Sequence, residues 1–271
     1  MISEKVELLG KGLYTNDIPG TLTISSVPTV SELDYVGSDD FDATMLDKIL
    51  PEAVKEQINF RNLLEIDYNW LLRCLRILNY GPYYTTNAIW CKECGVSYGE
   101  FEVNLKTIEC KPIPDGIKDR LIVKRDEFLD FCGDVTFRLP AVQHLITAYA
   151  DTSFKDSSGK VNGDFAKLCY MITSISGKKN LTPFEIGQII RKEFSSADYL
   201  LLKDTANGLT DYGLRAGGTT QCPKCGSMKA SFVALAGDRF FRPTLGNLRK
   251  WRMDKRQGKD KDVSGNTAAA V

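Results

Sequence analysis

Asp67-Tyr68-Asn69-Trp70-Leu71, then Leu78, Tyr80-Gly81 and Cys91-Lys92-Glu93-Cys94-Gly95, followed by Phe101 and Val103, is a stretch that the chain nearly repeats. The second copy runs Asp198-Tyr199-Leu200-Leu201-Leu202, Leu209, Tyr212-Gly213, Cys222-Pro223-Lys224-Cys225-Gly226, Phe232 and Val233. The offset is 131 residues for Asp-Tyr, Leu and Cys, and it slips by one at Tyr-Gly and at the closing Val. A kept order and spacing over six features marks an internal repeat. Each copy reads as a helix, a glycine-punctuated turn, a Cys-x-x-Cys-Gly knuckle and a strand.

The knuckle has a chemical logic. Two thiolates two residues apart can grip one metal ion from a tight turn, and the glycine after them allows the positive φ that turns backbone amides toward the sulfurs. A structural zinc takes four ligands and each copy offers two. The economical reading joins Cys91, Cys94, Cys222 and Cys225 in one zinc-ribbon-like, four-cysteine site holding Zn2+. Closing a loop of about 127 residues instead of about 15 costs roughly 2 kcal/mol more, against roughly 10–16 kcal/mol contributed by structural zinc in small peptides. Two other readings stand beside it: separate knuckles that have lost their metal, and a redox Cys-x-x-Cys. The redox reading lacks the helix N-terminus and βαβ context of such motifs. Cys74, Cys110, Cys132 and Cys169 lie in apolar patterns and read as packing residues.

Outward from the repeat, the chain reads as α+β, a mostly helical body with short N-terminal strands. Lys5-Val6-Glu7-Leu8-Leu9 and Thr21-Leu22-Thr23-Ile24 alternate as strands around a glycine- and proline-bearing turn. Phe41, Met45, Ile49, Val54 and Ile58 keep helical spacing, with Pro51 predicted to kink or split that segment. A stronger helix is predicted from Leu64 to Asn79. Leu121-Ile122-Val123 and Val135-Thr136-Phe137 read as strands. Helices are predicted from near Pro140, over Phe165 to Ser176, and from Thr182, where Thr182-Pro183-Phe184-Glu185 offers a capping box with proline in the first turn. The boundaries that follow are 1–40 for the strand segment, 41–115 and 191–242 for the two helix-knuckle repeats, 116–190 for an inserted strand and helical segment, and 243–271 for a basic, flexible tail. The two repeat helices are expected to pack against each other as a pseudo-symmetric pair.

Thirty-five basic residues balance thirty-five acidic ones, so the chain as a whole is no polyelectrolyte. No apolar run approaches the ~18–20 residues of a membrane span, and no secretory leader is visible at Met1. The charge is unevenly placed: residues 1–60 hold eleven acidic and four basic residues, whereas residues 239–262 hold nine basic and three acidic. Such ends read as solvated surface and tail, or as docking elements for differently charged partners. Nucleotide-binding, nucleophile-elbow and zincin motifs are all missing. The single histidine, His144, sits in a predicted helix and reads as a surface or satisfied core residue. Gly213 to Gly218 fits a turn into a hairpin. No catalytic set emerges, so no enzyme is expected.

The order of elements is similar to that of the baseplate hub and tail assembly proteins of contractile-tailed bacteriophages of the T-even type. Glu7-Leu8-Leu9-Gly10-Lys11-Gly12-Leu13-Tyr14 resembles that family's "Leu-Pro-Ser-Lys-Gly-Leu-Tyr" opening, and Leu22-Thr23-Ile24 with Pro28-Thr29-Val30-Ser31-Glu32 resembles its continuation. Asp67 to Leu72, Leu75-Arg76-Ile77, Tyr80-Gly81, Tyr84 and the Cys91/Cys94 knuckle resemble its "Asp-Arg-Asn-Phe-Leu…Leu-Arg…Tyr-Gly…Cys-Pro-x-Cys-Gly" core, with Tyr68 where arginine is usual. Phe137-Arg138-Leu139-Pro140 fits the following segment. The resemblance covers roughly residues 5–240. It implies a late viral protein without enzyme activity, present in the host cytoplasm during assembly or in the virion, that helps the hub form by binding hub or tail proteins. The alternative is a zinc-ribbon protein that binds nucleic acid through Arg239, Arg242, Arg249, Lys250, Trp251, Arg252, Lys255 and Arg256; zero net charge and the shortness of that strip disfavour it. On either reading Arg249, Lys250, Trp251 and Arg252 are the candidate partner-binding residues.

Overall fold

The computed structural model describes residues 3–13, 17–27, 40–86, 89–98, 102–114, 121–156, 158–214, 217–232, 241 and 244–257. Within these residues the protein is a mixture of helix and sheet with two apolar centres. Tyr14, Phe101, Val233, Arg239, Arg242, residues 28–39 and residues 258–271, which enter the readings above, lie outside the described residues.

The first centre is built on the hairpin of β1 (Ser3–Glu7) and β2 (Thr21–Ser25), paired antiparallel with Val6 opposite Leu22. Their inward side chains Val6, Leu22 and Ile24 are buried. The helical stretch α1 (41–53) follows, and its middle turn, Met45–Ile49, is a π-turn in which the Leu50 amide reaches back to the Met45 carbonyl. Pro51 explains the widening. It has no N–H to give the Asp47 carbonyl, and its ring crowds that carbonyl. The proline therefore loosens the helix without ending it, and the helix stops at Ala53, after which Val54 is extended. The helix α2 (Glu65–Tyr80) lays Trp70, Leu71, Leu72, Cys74, Leu75, Ile77 and Leu78 into this centre.

The second centre lies on a four-stranded antiparallel sheet of β8 (Leu121–Val123), β9 (Val135–Phe137), β10 (Ile172–Ile175) and β11 (Lys178–Lys179), in the order β11-β10-β9-β8. Helices α3 (Val142–Ala150), α4 (Gly163–Met171), α5 (Pro183–Glu193) and α6 (Ser196–Thr210) complete it. The capping box at α5 forms as its sequence dictates: the Glu185 amide donates to Thr182 Oγ1 at 3.2 Å and the Thr182 amide donates to Glu185 Oε2 at 2.7 Å. The expected helix to Ser176 is corrected. α4 ends at Met171, and Ile172-Thr173-Ser174-Ile175 becomes a strand because Phe137, Thr136 and Val135 offer it a ladder.

The repeat is visible in the architecture, though not as a pair of helices packed face to face. Trp70, Leu71 and Leu75 belong to the first centre, whereas Leu202 and Leu209 belong to the second. Each repeat helix thus faces mainly its own core, with Ile66 at the start of α2 belonging to the second. What the two share is a buried aspartate in the first turn. Asp67 accepts the Gly10 amide at 2.8 Å, and Asp198 accepts the amides of Leu129, Asp130 and Phe131 at 2.7, 3.1 and 3.0 Å. Each carboxylate ties the loop of its own hairpin, between β1 and β2 or between β8 and β9, to the start of the helix that leads to a knuckle.

Part of the expected tail is helical. Residues Leu245–Arg256 form a helix, α7, capped by Thr244 and lying along β3 (Tyr83–Thr85) of the first repeat. Its Asn247 is buried and its Nδ2 donates to Thr85 Oγ1 at 3.1 Å. Trp251 lies over Gly81, where an added Cβ would come within 2.3 Å of the indole Cγ. The contact consists of one aromatic on a glycine and a few polar pairs, so no apolar stripe in the sequence announces it.

Candidate metal centre

Each knuckle sits at the tip of a short antiparallel hairpin. β4 (Ile89–Trp90) and β5 (Ser97–Tyr98) carry Cys91 and Cys94. β13 (Gly217–Gln221) and β14 (Met228–Phe232) carry Cys222 and Cys225. The two tips have one hydrogen-bond pattern. The Cys91 amide donates to the Val96 carbonyl and the Gly95 amide to the Cys91 carbonyl; the Cys222 amide donates to the Ser227 carbonyl and the Gly226 amide to the Cys222 carbonyl, all at 2.8–2.9 Å. The glycine after each pair has φ of +70° or +73°, a conformation that a side chain at that position would strain.

The tips meet. The four sulfurs lie within 4.8 Å of one another. Cys91 Sγ is 3.6 Å from Cys225 Sγ, and Cys94 Sγ is 3.5 Å from Cys222 Sγ. The first cysteine of each knuckle therefore faces the second of the other, as a local two-fold axis between the tips requires. Four ligands at ~2.3 Å around a tetrahedral centre stand about 3.8 Å apart, and these two separations are close to that edge. A disulfide would need about 2.05 Å; all four cysteines are free thiols. Cys91 and Cys222 are buried, Cys94 is half-buried and Cys225 is exposed, so the cluster opens to solvent at one corner.

The electrostatics suit a cation. Ser227 Oγ lies 3.3 Å from Cys91 Sγ and 3.4 Å from Cys225 Sγ. Hydrogen bonding to that hydroxyl brings the Cys91 thiol down to about 6 and also lowers Cys225. The Val96 amide favours a Cys94 thiolate, but burial and the protons shared with Cys222, Cys91 and Cys225 hold Cys94 up to about 12. Packed thiols cannot all ionise on their own; a divalent cation removes the conflict and deprotonates the set. The knuckle pattern in the sequence does not single out Ser227. Its signal is weak, since the fifth position after the first cysteine is Val96 in one knuckle and Ser227 in the other.

Comparison with protein families, with curated proteins and with solved structures finds no match. The chemistry of the chain is therefore read from its own residues.

The remaining candidates are dispersed. Arg249, Lys250, Trp251 and Arg252 do not form one patch. Lys250 pairs with Glu102 and sits 4.1 Å over the Tyr83 ring, Trp251 covers Gly81, and Arg249 and Arg252 are exposed on the other side of the helix. His144 accepts the Ala141 amide on Nδ1 at 3.1 Å, capping α3, and bonds Arg138 through Nε2. Burial, and then the Arg138 charge, lower its pKa to about 4. Part of the acidic N-terminal charge is used internally: Asp47 pairs with Arg61 at 2.7 Å, Asp42 accepts the Tyr68 hydroxyl at 2.9 Å, and Glu56 accepts the Thr23 amide at 2.8 Å. Among the described residues no helix is long and apolar enough to cross a membrane.

Proposed function

We propose that the chain is a metal-stapled assembly protein without enzyme activity, acting through protein–protein contacts in building the baseplate hub of a contractile phage tail. The observation that carries this reading is the convergence of Cys91, Cys94, Cys222 and Cys225 from two copies of one repeat. Four thiolates in tetrahedral reach of one point match the preference of zinc, and a zinc-ribbon-like tetrathiolate centre keeps no position for water or substrate. Such a metal locks the two halves of the chain together. Catalysis would need other groups, and the lone histidine is engaged in capping α3. The phage setting rests on the resemblance of the Glu7–Tyr14 and Asp67–Gly95 motifs to hub assembly proteins.

Gene deletion tests the setting. A phage deleted for this gene should make normal heads and tails that lack a complete hub, and the wild-type gene supplied in trans should restore them. Normal tails after deletion would overturn the reading.

A further inference from the structure

The helix α7 has two unlike faces. Asn247, Lys250, Trp251 and Asp254 hold it to the first repeat, through Thr85, Glu102, Gly81 and Tyr83. Leu245, Arg249, Arg252, Met253 and Arg256 fall instead within an arc of roughly 100° on the opposite side, and all five are exposed. Arg249, Arg252 and Arg256 span about 10 Å of helix at 1.5 Å per residue. None of the three has a hydrogen bond, ion pair or ring contact with a described residue. Surface cations elsewhere, such as Arg61, Lys111 and Lys124, are paired with carboxylates. Leu245, at 72% exposure, and Met253, at 58%, flank the arginines.

We propose that this arginine ridge is the docking face for a partner protein that presents carboxylates and apolar side chains together on one amphipathic helix. The inference rests on the protein-contact reading above and is independent of the metal. Its charge calls for an anionic partner, and the choice between protein and nucleic acid is made by the rest of the face. Arginine and methionine are enriched in protein interfaces while lysine is depleted, and this stripe carries arginine and methionine without lysine. Leu245 and Met253 give nothing to a phosphate, whereas the apolar stripe of an acidic amphipathic helix can pack against them. Three phosphate contacts would give a salt slope of only about −2.7 on duplex DNA. Trp251, the helix's one aromatic residue, lies over Gly81 and not on this face, so the face has no ring on which a base can stack. The helix is already folded and anchored by its inner face, which lowers the ordering cost of binding.

The test uses the full, zinc-loaded chain. A fluorescent helical peptide of about 20 residues, with glutamate and leucine on one face, is titrated at 50 and 200 mM salt beside a scrambled peptide and 20-nucleotide single- and double-stranded DNA. The helical peptide should bind more tightly than the scrambled peptide and either DNA. Reversing the ridge charges in R249E/R252E/R256E should weaken it at least about tenfold. A second variant, L245S/M253S, should also weaken it, with the circular dichroism of both variants unchanged. DNA binding tighter than peptide binding, or peptide binding unaffected by the triple reversal, would overturn the proposal. So would ridge-dependent self-association in the ultracentrifuge, which would make a second copy the occupant. Hub assembly in phage separates the two claims. If R249E/R252E/R256E still builds hubs while deletion does not, the ridge inference fails and the assembly reading stands.

Discussion

Gly81 and Trp251 should be energetically coupled, although 170 residues separate them. Gly81 has φ +80° and ψ 175°, a region essentially restricted to glycine, and an alanine forced into it costs about 2 kcal/mol. The Cβ of that alanine would also stand 2.3 Å from the Trp251 Cγ and 2.5 Å from its Cδ2, so the indole would have to leave. Removing a fully buried tryptophan costs roughly 3–5 kcal/mol. Trp251 is half-buried, so Trp251→Ala should cost about 2 kcal/mol. Gly81→Ala should then cost about 4 kcal/mol, the backbone strain plus the lost indole contact. The double variant should cost about 4 kcal/mol as well, because the indole can be lost only once. The coupling is therefore about 2 kcal/mol, well outside the roughly 0.3–0.5 kcal/mol scatter of independent sites. Urea unfolding of the four proteins, each with one equivalent of zinc added, followed by circular dichroism, measures it. Simple additivity would show that α7 does not rest on Gly81 in solution and would refute the docked-helix geometry.

The remaining predictions concern pH and capping. Burial pushes Asp67 up to about 6 against the Gly10 and Leu9 amides that pull it down. Its folded state therefore holds the extra proton, so its favourable contribution is complete below about pH 4 and is lost as pH rises through about 6. This amounts to roughly 3 kcal/mol, and Asp67→Asn should flatten that slope in urea unfolding compared with wild type at each pH. At Asp198 burial works the same way, but the amides of Leu129, Asp130 and Phe131 outweigh it and leave the carboxyl below its usual value. The stabilisation from Asp198 should thus be present above about pH 4 and fade as pH falls further, so the two equivalent aspartates should titrate with opposite sign. His144, lowered to about 4 by burial and Arg138, contributes stability that is present above about 6.5 and lost as pH falls toward 4. His144→Ala should remove that dependence, cost about 1 kcal/mol through loss of the α3 cap, and leave metal binding unchanged.

Local rules make much of this architecture legible. The Thr182–Glu185 capping box, the Cys-x-x-Cys-Gly knuckles and the helix carrying Trp70 and Leu75 are each set by contacts within a few residues, and the sequence displays them directly. The meeting of the knuckles is legible for a chemical reason, since two ligands per copy leave a tetrahedral metal half served. The features that escape are set by distant contacts. Asp67 and Asp198 stand out as repeated letters, but their task of gripping the loops at Gly10 and at Leu129–Phe131 depends on hairpins more than fifty residues away. The helix α7 reads as a tail because its holdfasts are Asn247, Asp254 and one tryptophan on a glycine rather than an apolar stripe. Ile172–Ile175 reads as helix because its pairing with β9 is invisible locally. Matching letters suggest that the two repeat helices touch, yet each face is satisfied by its own hairpin and neighbouring helices.

The central claim is that one metal ion is shared between the two knuckles, and cobalt titration of the reduced, metal-free chain tests it most directly. The account predicts saturation at one equivalent with intense thiolate-to-metal absorption of a tetrahedral tetrathiolate site, zinc displacing the cobalt with the same stoichiometry. Cys91→Ser and Cys222→Ser should each remove the tetrathiolate spectrum, because each takes a ligand from the same ion. Saturation at two equivalents, or full metal binding by one knuckle after loss of the other, would contradict it.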